Sequence, residues 1–415
     1  MKFDLIVIGN ELLNGKIQDL NVHFLATELY AHHHTLNQVH MIADNEDQFL
    51  KAMLLATGTA DVIITCGGLG PTKDDLTKKM LAKFFEKEIL YSEHAHQITL
   101  KHYERGKREY DQKKIDYHHI PHEFEAIHNP IGYAPGLKYE NEGKMIFACP
   151  GVPSEFQAML TQEILPQIKS SESQFTKHVI VKTWKIPESK IFNELCPDLW
   201  DSLEAYGEVS SLPHFYGVDI GVKLVEKSLE VISSQEKEII NLMKSSPLKD
   251  YIWNIGPESI EQMIVKMAIA KNLTIGFSES CTGGLCASRM TDVSGSSAVF
   301  WGSIVSYANE VKMKSLNVLE KTLIDYGAVS KQTALEMAMG AREQLGVDIA
   351  VSTTGIAGPG GGSKDKPVGT VGIGVSSSQG NSSDIYHFQG NRVTLKKRFS
   401  DKALVILLEE IMNHS

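Results

Sequence analysis

Apolar residues run almost unbroken through positions 3–8 (FDLIVI), the pattern of a strand buried on both faces. The period then changes. Asn21 offers a cap for a helix reaching about residue 34, positions 36–42 read as a second strand ending at Asp44, and a helix follows over about 46–56. Residues 61–66 (DVIITC) form a third strand, leading into a Gly-rich loop and a helix that begins near Asp74. A later strand covers 145–149 (MIFAC), and Ser154 caps the helix after it. Strands alternating with helices predict βαβ units and a parallel sheet.

The polar, Ser-rich run 168–174 (IKSSESQ) reads as a linker. Beyond it the order is strand 178–186, helix 188–204, strands near 208–212 and 218–225, helix 233–244 and strand 250–255. That β-α-β-β-α-β order predicts a small split-βαβ domain. Gly256-Pro257 marks the next boundary. The last third reads as a helix over 260–271, a strand over 273–278, a small-residue turn, a helix and a strand ending near Tyr307. A helix (332–345), a strand (348–353), a Gly-rich loop (355–362), a strand (368–375) and a final helix over about 393–412 complete a second α/β domain. The expected fold is therefore α/β in three parts: 1–170, a central α+β domain over 175–256, and 257–415.

Composition narrows the function classes. The chain has 415 residues, 42% hydrophobic and 22% charged, which excludes wholesale disorder. Lys plus Arg is 41 against 51 for Asp plus Glu, a net charge of −10, with no basic footprint for nucleic acid. The five cysteines are scattered and form no CxxC, which argues for a reducing compartment and against a disulfide framework or structural zinc. No apolar run approaches the ~18 residues of a membrane helix, and the opening MKFDLIVIG reads as a first strand, so the expected location is the cytoplasm. Of 16 histidines, 12 precede residue 130. His32, His33 and His34 are consecutive and cannot share a helix face, and His118, His119 and His122 lie in a polar stretch; a transition-metal site is the alternative, but without paired ligand spacing both groups read as solvated surface.

Two stretches carry candidate chemistry. The first three strands deliver Gly9, Asn10 and Glu11, then Asp44, then GGLGPTKDD (67–75) at their carboxyl ends, where open parallel sheets bind ligands. Gly67, Gly68 and Gly70 let the backbone approach an anion, and the following helix points its N–H groups at it. Asp74 and Asp75 repel a bare phosphate; with Glu11 and Asp44 they make sense if a hard divalent cation bridges carboxylate and phosphate. The plain alternative is that Asp74 only caps a helix and Glu11 is solvated.

The second stretch is SESCTGG (278–284), a strand-to-helix turn carrying Ser280, with Gly283 and Gly284 keeping the backbone open and turn N–H groups free for an oxyanion. A serine needs a base, and no histidine lies in this stretch. The segment SIVSYANEVKMKSL supplies Tyr307, Lys312 and Lys314; burial can bring a lysine towards pKa ~7–8, although a helical lysine is ordinarily a solvated one. Strand 348–353 ends at Thr354, and GIAGPGGG (Gly355, Gly358, Gly360) is either a mobile loop or a phosphate nest. Arg392 can pair with a phosphate or simply start the last helix, with Arg398 close by. Cys281 is the rival nucleophile; adjacent side chains on a turn diverge, so only one of Ser280 and Cys281 is expected to face the crevice, and Cys281 is assigned to packing.

These residues carry a resemblance. GNELLNGKIQDLN, GGLGPTKDDLT, NPIGYAPG and CPGVPSEFQAM, with ESCTGG, GSSAVFWGSIVSYANEVK, GAVS, TGIAGPGGG and KPVGTV, resemble the motifs of the CinA family, the competence/damage-inducible proteins. Asn10 and Leu20 depart from the family pattern, and neither removes a carboxylate. The resemblance implies a first domain like the MoaB/MogA molybdopterin-binding proteins, with metal-dependent ADP-ribose pyrophosphatase activity. It also implies a last domain that is a nicotinamide-nucleotide amidase of pyridine-nucleotide salvage. It gives phosphate or metal roles to Asp44, Gly67, Gly68, Gly70, Thr72, Asp74 and Asp75, with Mg²⁺, Mn²⁺ or Co²⁺ as cofactor, and makes Ser280, Tyr307, Lys312, Thr354 and Arg392 the amidase set, which needs no metal. In the implied reaction Lys312 takes a proton from Ser280, Tyr307 orients Lys312 or relays a proton, and Thr354 contacts the ring or amide. The implied partners are nicotinamide mononucleotide, ADP-ribose and a second copy of the chain, with neither a membrane nor nucleic acid. Two alternatives remain at this point: an amidase whose first domain only binds a nucleotide or pterin, and a non-catalytic adaptor in DNA uptake or repair.

Overall fold

The computed structural model describes residues 1–72, 74–168 and 175–414. Most of the run read as a linker (169–174) and Lys73 lie outside them. The chain divides into two compact units, one of residues 1–177 with 226–229, the other of 178–225 with 230–415.

In the first unit the strands Lys2–Ile8, Thr35–Ile42, Val62–Cys66 and Lys144–Cys149 are parallel neighbours, with Lys2–Ile8 between Thr35–Ile42 and Val62–Cys66. Residues 3–8 are all buried, as a strand covered on both faces must be. Register pairs Ile8 with Ile42 and Val7 with Cys66, so the carboxyl ends of three strands finish along one edge. Two antiparallel strands, Gly136–Asn141 and Glu125–Ile127, extend this sheet and make it mixed rather than parallel. Helix ends also differ from expectation. The helix Asn21–Ala31 stops before residue 34 because His33 takes a left-handed conformation (φ 62), and its N-cap is Leu20, not Asn21. Val152, not Ser154, is the N-cap before Pro153–Met159, with Pro153 in the first turn.

The central strands form a four-stranded sheet in the order Glu208–His214, Gly217–Glu226, Phe175–Thr183, Ile252–Ile255, the arrangement of a split-βαβ unit. The helix expected over 188–204 is broken; only Glu188–Lys190 and Leu199–Glu204 are α-helical, with Pro197 between them. In the last part, Phe300–Val305, Ile275–Glu279 and Ile349–Gly355 are parallel neighbours, and Thr370–Ser377 and Gly380–His387 add on antiparallel. The helix Arg392–Asn413 buries Leu395, Phe399, Leu404, Leu407, Leu408 and Ile411 in the core of this part. Glu279 is in register with both Val305 and Thr353, so the turns after three strands meet at one edge. Among the described residues no helix is long and apolar enough to cross a membrane.

Candidate functional site

The first cavity, of about 560 Å³, opens at the carboxyl ends of Lys2–Ile8 and Val62–Cys66. Six carboxylates line it, Glu11, Asp19, Asp44, Asp74, Asp75 and Glu155, and no Lys or Arg does so among the described residues. Gly67 and Gly68 both have positive φ; a Cβ on Gly68 would lie 2.4 Å from Thr77 Oγ1, whose hydroxyl donates to the Gly67 carbonyl at 2.7 Å. Gly70 lines the same wall, where Asp75 folds back against it. Thr72 is not part of the lining. Its N–H donates to Asp75 Oδ2 at 2.8 Å and its hydroxyl bridges towards both Asp74 and Asp75. That contact holds the Asp74 carboxyl below the usual carboxylate range. The helix expected near Asp74 starts at Thr77 with Leu76 as N-cap, so Asp74 is not a capping residue. Asp44 Oδ2 accepts the Asn10 N–H at 2.9 Å.

Asp44, Asp74 and Asp75 share this cavity, yet they do not converge as a ready-made ligand set. The one cluster of three or more donor groups within 4.8 Å among the described residues is elsewhere. The donors are all carboxylate oxygens, which suits a hard cation that a bound phosphate completes. Sequence reasoning passed over Asn21, which is 3% exposed and lines the cavity. Its Nδ2 donates to the Gly151 carbonyl at 2.9 Å and contacts Cys66 Sγ at 3.1 Å, while Oδ1 has no partner among the described residues. The signal for it is its place in the QDLN stretch, after the first strand.

The second cavity, about 180 Å³, is lined by Ser280, Cys281, Tyr307, Lys312, Thr354 and Arg392 among others. Lys312 Nζ lies 3.1 Å from Ser280 Oγ and donates to the carbonyls of Ser306 (2.9 Å) and Tyr307 (3.0 Å). Lys312 is 1% exposed. It forms no salt bridge among the described residues, and burial lowers its pKa from the ordinary lysine value. A neutral amine has two N–H bonds and one lone pair. The two carbonyls can only accept, so they take the N–H bonds and the lone pair is left for the Ser280 hydroxyl proton.

Ser280 and Cys281 both border the cavity, and Cys281, 6% exposed, packs in the hydrophobic core of this part, as its assignment to packing expects. Burial pushes the Cys281 thiol up to about 12, which keeps it protonated and poor as a nucleophile. Tyr307 meets Lys312 through its main chain rather than its hydroxyl. Its side chain is 65% exposed, its hydroxyl accepts from Arg392 Nη2 at 3.4 Å, and its contact with Lys312 runs through the backbone carbonyl. Thr354 donates its hydroxyl to the Ala328 carbonyl at 2.6 Å and retains only its lone pairs for a ligand. Arg392 Nη1 donates to the Gly358 carbonyl at 2.8 Å. Of the Gly-rich loop only Gly355 and Ala357 reach the cavity; Gly358 and Gly360 do not line it, nor do Gly283 and Gly284.

Glu279 is the residue that sequence reasoning missed here. Fully buried, its carboxylate accepts the N–H groups of Gly284, Cys286 and Ala287 and the Ser303 hydroxyl, each at 3.0 Å. The N–H groups expected to hold an oxyanion are thus taken in part by a carboxylate, and the Ser280 N–H is bonded to the Thr353 carbonyl. The N–H groups of Cys281, Thr282 and Gly283 enter none of these bonds. Gly284, at φ +94, turns the chain so that three donors converge on Glu279.

Two family models match separate parts of the chain. The family described as CinA C-terminal domain matches residues 257–411, and that described as "Probable molybdopterin binding domain" matches 4–170. A CinA-like protein of Chloroherpeton thalassium is 34% identical over 423 residues, covering 100% of both chains. A CinA-like protein of Chlorobium limicola is 35% identical over 412 residues, covering 97% of this chain and 95% of its own. Among solved structures, the competence/damage inducible protein CihA of Agrobacterium tumefaciens is 37% identical, covers 38% of this chain and 98% of its own, and superposes with a TM-score of 0.36.

Proposed function

The chain belongs to the CinA family, with a molybdopterin-binding-like domain ahead of the CinA C-terminal domain, and from that premise we propose that its last domain hydrolyses the carboxamide of nicotinamide mononucleotide. The observation that carries this reading is the buried Lys312 Nζ at 3.1 Å from Ser280 Oγ. Lys312, as the free amine, takes the Ser280 proton while Oγ attacks the carboxamide carbon. The tetrahedral oxyanion meets the N–H of Cys281, which lines the cavity next to Ser280. Lys312 returns the proton to the amide nitrogen, the C–N bond breaks and ammonia leaves. Water then attacks the acyl-enzyme, its proton passes through Lys312 to Ser280 Oγ, and nicotinate mononucleotide departs. Arg392 at the mouth supports a 5′-phosphate, and Tyr307 positions Lys312 through its carbonyl.

The first cavity supports a second activity, cleavage of the pyrophosphate of ADP-ribose. Six carboxylates with no cation among the described lining residues repel a pyrophosphate unless a divalent metal is bound with it. Asp44, Asp74 and Asp75 are the residues that would hold Mg²⁺, Mn²⁺ or Co²⁺, which supplies charge neutralisation and Lewis acidity when present. A homodimer belongs to the same reading: the edge strand Phe300–Val305 exposes Trp301 and Val305 beside its unpaired backbone.

The decisive experiment measures ammonia released from nicotinamide mononucleotide. Ser280→Ala should abolish release and Cys281→Ser should largely preserve it; the reverse pattern sinks the assignment. ADP-ribose cleavage, assayed with and without each metal, separates a two-activity enzyme from an amidase with a binding-only first domain.

A further inference from the structure

The histidines read as solvated surface include a pair that the fold gathers. Strands Ile89–Tyr91 and His119–Pro121 pair antiparallel, and the segment entering the second brings Asp116, His118 and His119 together. One donor atom from each lies within 4.8 Å of the others, the single such group among the described residues. Asp116 Oδ1 is 2.7 Å from His119 Nδ1 and 3.9 Å from His118 Nε2.

The surrounding hydrogen bonds aim this set. Tyr110 donates its hydroxyl to the Ile115 carbonyl at 3.0 Å, and His118 Nδ1 lies 2.6 Å from the same phenolic oxygen. A phenol has one proton, and a carbonyl only accepts, so the phenolic oxygen accepts from Nδ1–H. His118 is therefore the Nδ1–H tautomer, and Nε2 turns its lone pair towards Asp116. At 6% exposed, the ring is held there, and Nε2 makes no hydrogen bond among the described residues. An imidazole whose far nitrogen is tied by an outer partner is how metal ligands are oriented. Lys78 Nζ donates to the backbone carbonyls of Asp116 and His119, pinning the segment on both sides of His118. His96, nearby, is committed: Gln112 donates to its Nε2, and its Nδ1 lies 2.8 Å from the Tyr91 hydroxyl.

We propose that Asp116, His118 and His119 form a three-ligand site for a first-row divalent transition cation of the Zn²⁺ class. Metal–donor bonds of about 2.0–2.2 Å in tetrahedral array set donors about 3.3 Å apart. The observed 2.7 and 3.9 Å bracket that value, and the exposed Asp116 carboxylate rotates to reach it. Two imidazoles and one carboxylate select such an ion over Mg²⁺, whereas the all-carboxylate first cavity selects the harder cation. Three protein donors leave one position for water. The site has a structural consequence: Tyr117, between Asp116 and His118, lines the first cavity, so the ion fixes one wall of it.

The test is Zn²⁺ titration of the metal-stripped full chain by calorimetry in excess Mg²⁺, which saturates hard carboxylate sites. The wild type should show one tight site. Asp116→Asn, His118→Gln and His119→Gln should each weaken it by at least about tenfold, while His122→Gln, an exposed neighbour, should not. Circular dichroism checks that each variant folds; His119→Gln, on the half-exposed ligand, keeps the test open if His118→Gln does not. Absence of Zn²⁺ binding in the wild type, binding undiminished in Asp116→Asn and His119→Gln, or loss in His122→Gln overturns the site.

Discussion

In the first unit, strands Lys2–Ile8 and Val62–Cys66 end at a cavity that gathers six carboxylates. In the second, Ile275–Glu279 and Ile349–Gly355 end at a cavity that gathers a buried amine and a guanidinium, and the nearby Glu279 spends its charge on backbone N–H groups instead. The sheet edge supplies the place in both cases, and the residue types decide the chemistry. One cavity has an amine and a hydroxyl already in contact. The other has acids that share a space without converging.

The contrast is most easily broken at Lys312. If it is the base, Lys312→Met should lower ammonia release by about 10²–10⁴-fold, the usual worth of a general base. Lys312→Arg should fare no better, because a guanidinium stays protonated and offers no lone pair. The sign of the pH dependence follows from the direction of its shift. Burial lowers the Lys312 pKa, so kcat/KM should rise with pH as the amine deprotonates, with a midpoint below that of a free lysine. A rate that falls over that range, or an arginine variant that works, removes the lysine from its role.

In the first cavity the expected loss is as deep but tied to metal. Asp74→Asn with Asp75→Asn should remove metal-dependent ADP-ribose cleavage by about two orders of magnitude or more, as loss of charge-stabilising groups does. Ammonia release from the other domain should be unaffected. Cleavage that persists without added metal would mean that the six acids do not need a cation, and the electrostatic argument would fail.

Legibility differed between the two cavities for a physical reason. Ser280 and Lys312 lie 32 positions apart, and they meet because Ile275–Glu279 and Phe300–Val305 are parallel neighbours whose exits must coincide. Apolar strand runs show that much. Polar edge strands are less visible. Gly380–His387 (GNSSDIYH) is polar in five of eight positions and exposes most of them, so nothing in its pattern separates it from a loop. Glu279 hid for the opposite reason: a charge at a strand end reads as solvated, and only the fold reveals the three N–H groups that bury it. The Asp116, His118, His119 cluster escaped because its spacing is not that of ligands on a helix face; a turn into a strand brings it together.

Glu279 sharpens the comparison at an intermediate level. Glu279→Gln replaces an acceptor oxygen by an NH₂ group facing backbone donors, leaving at least one buried group unsatisfied. The cost should be about 1–3 kcal/mol in chemical denaturation, with ammonia release lowered because the 280–284 turn loosens. Unchanged stability would mean that the carboxylate does not hold the turn.

The smallest effect belongs to Tyr307. Its hydroxyl sits on Arg392 at the mouth, and the Lys312 contact uses the main-chain carbonyl. Tyr307→Phe keeps that carbonyl and deletes only a 3.4 Å contact to an exposed group, so kcat should hardly change and any cost should appear in KM, by less than about tenfold. A collapse of kcat with KM preserved would instead place the phenol in proton transfer and require Tyr307 to swing inward during the reaction. Measuring the two constants separately therefore decides whether this residue acts through its backbone or through its side chain.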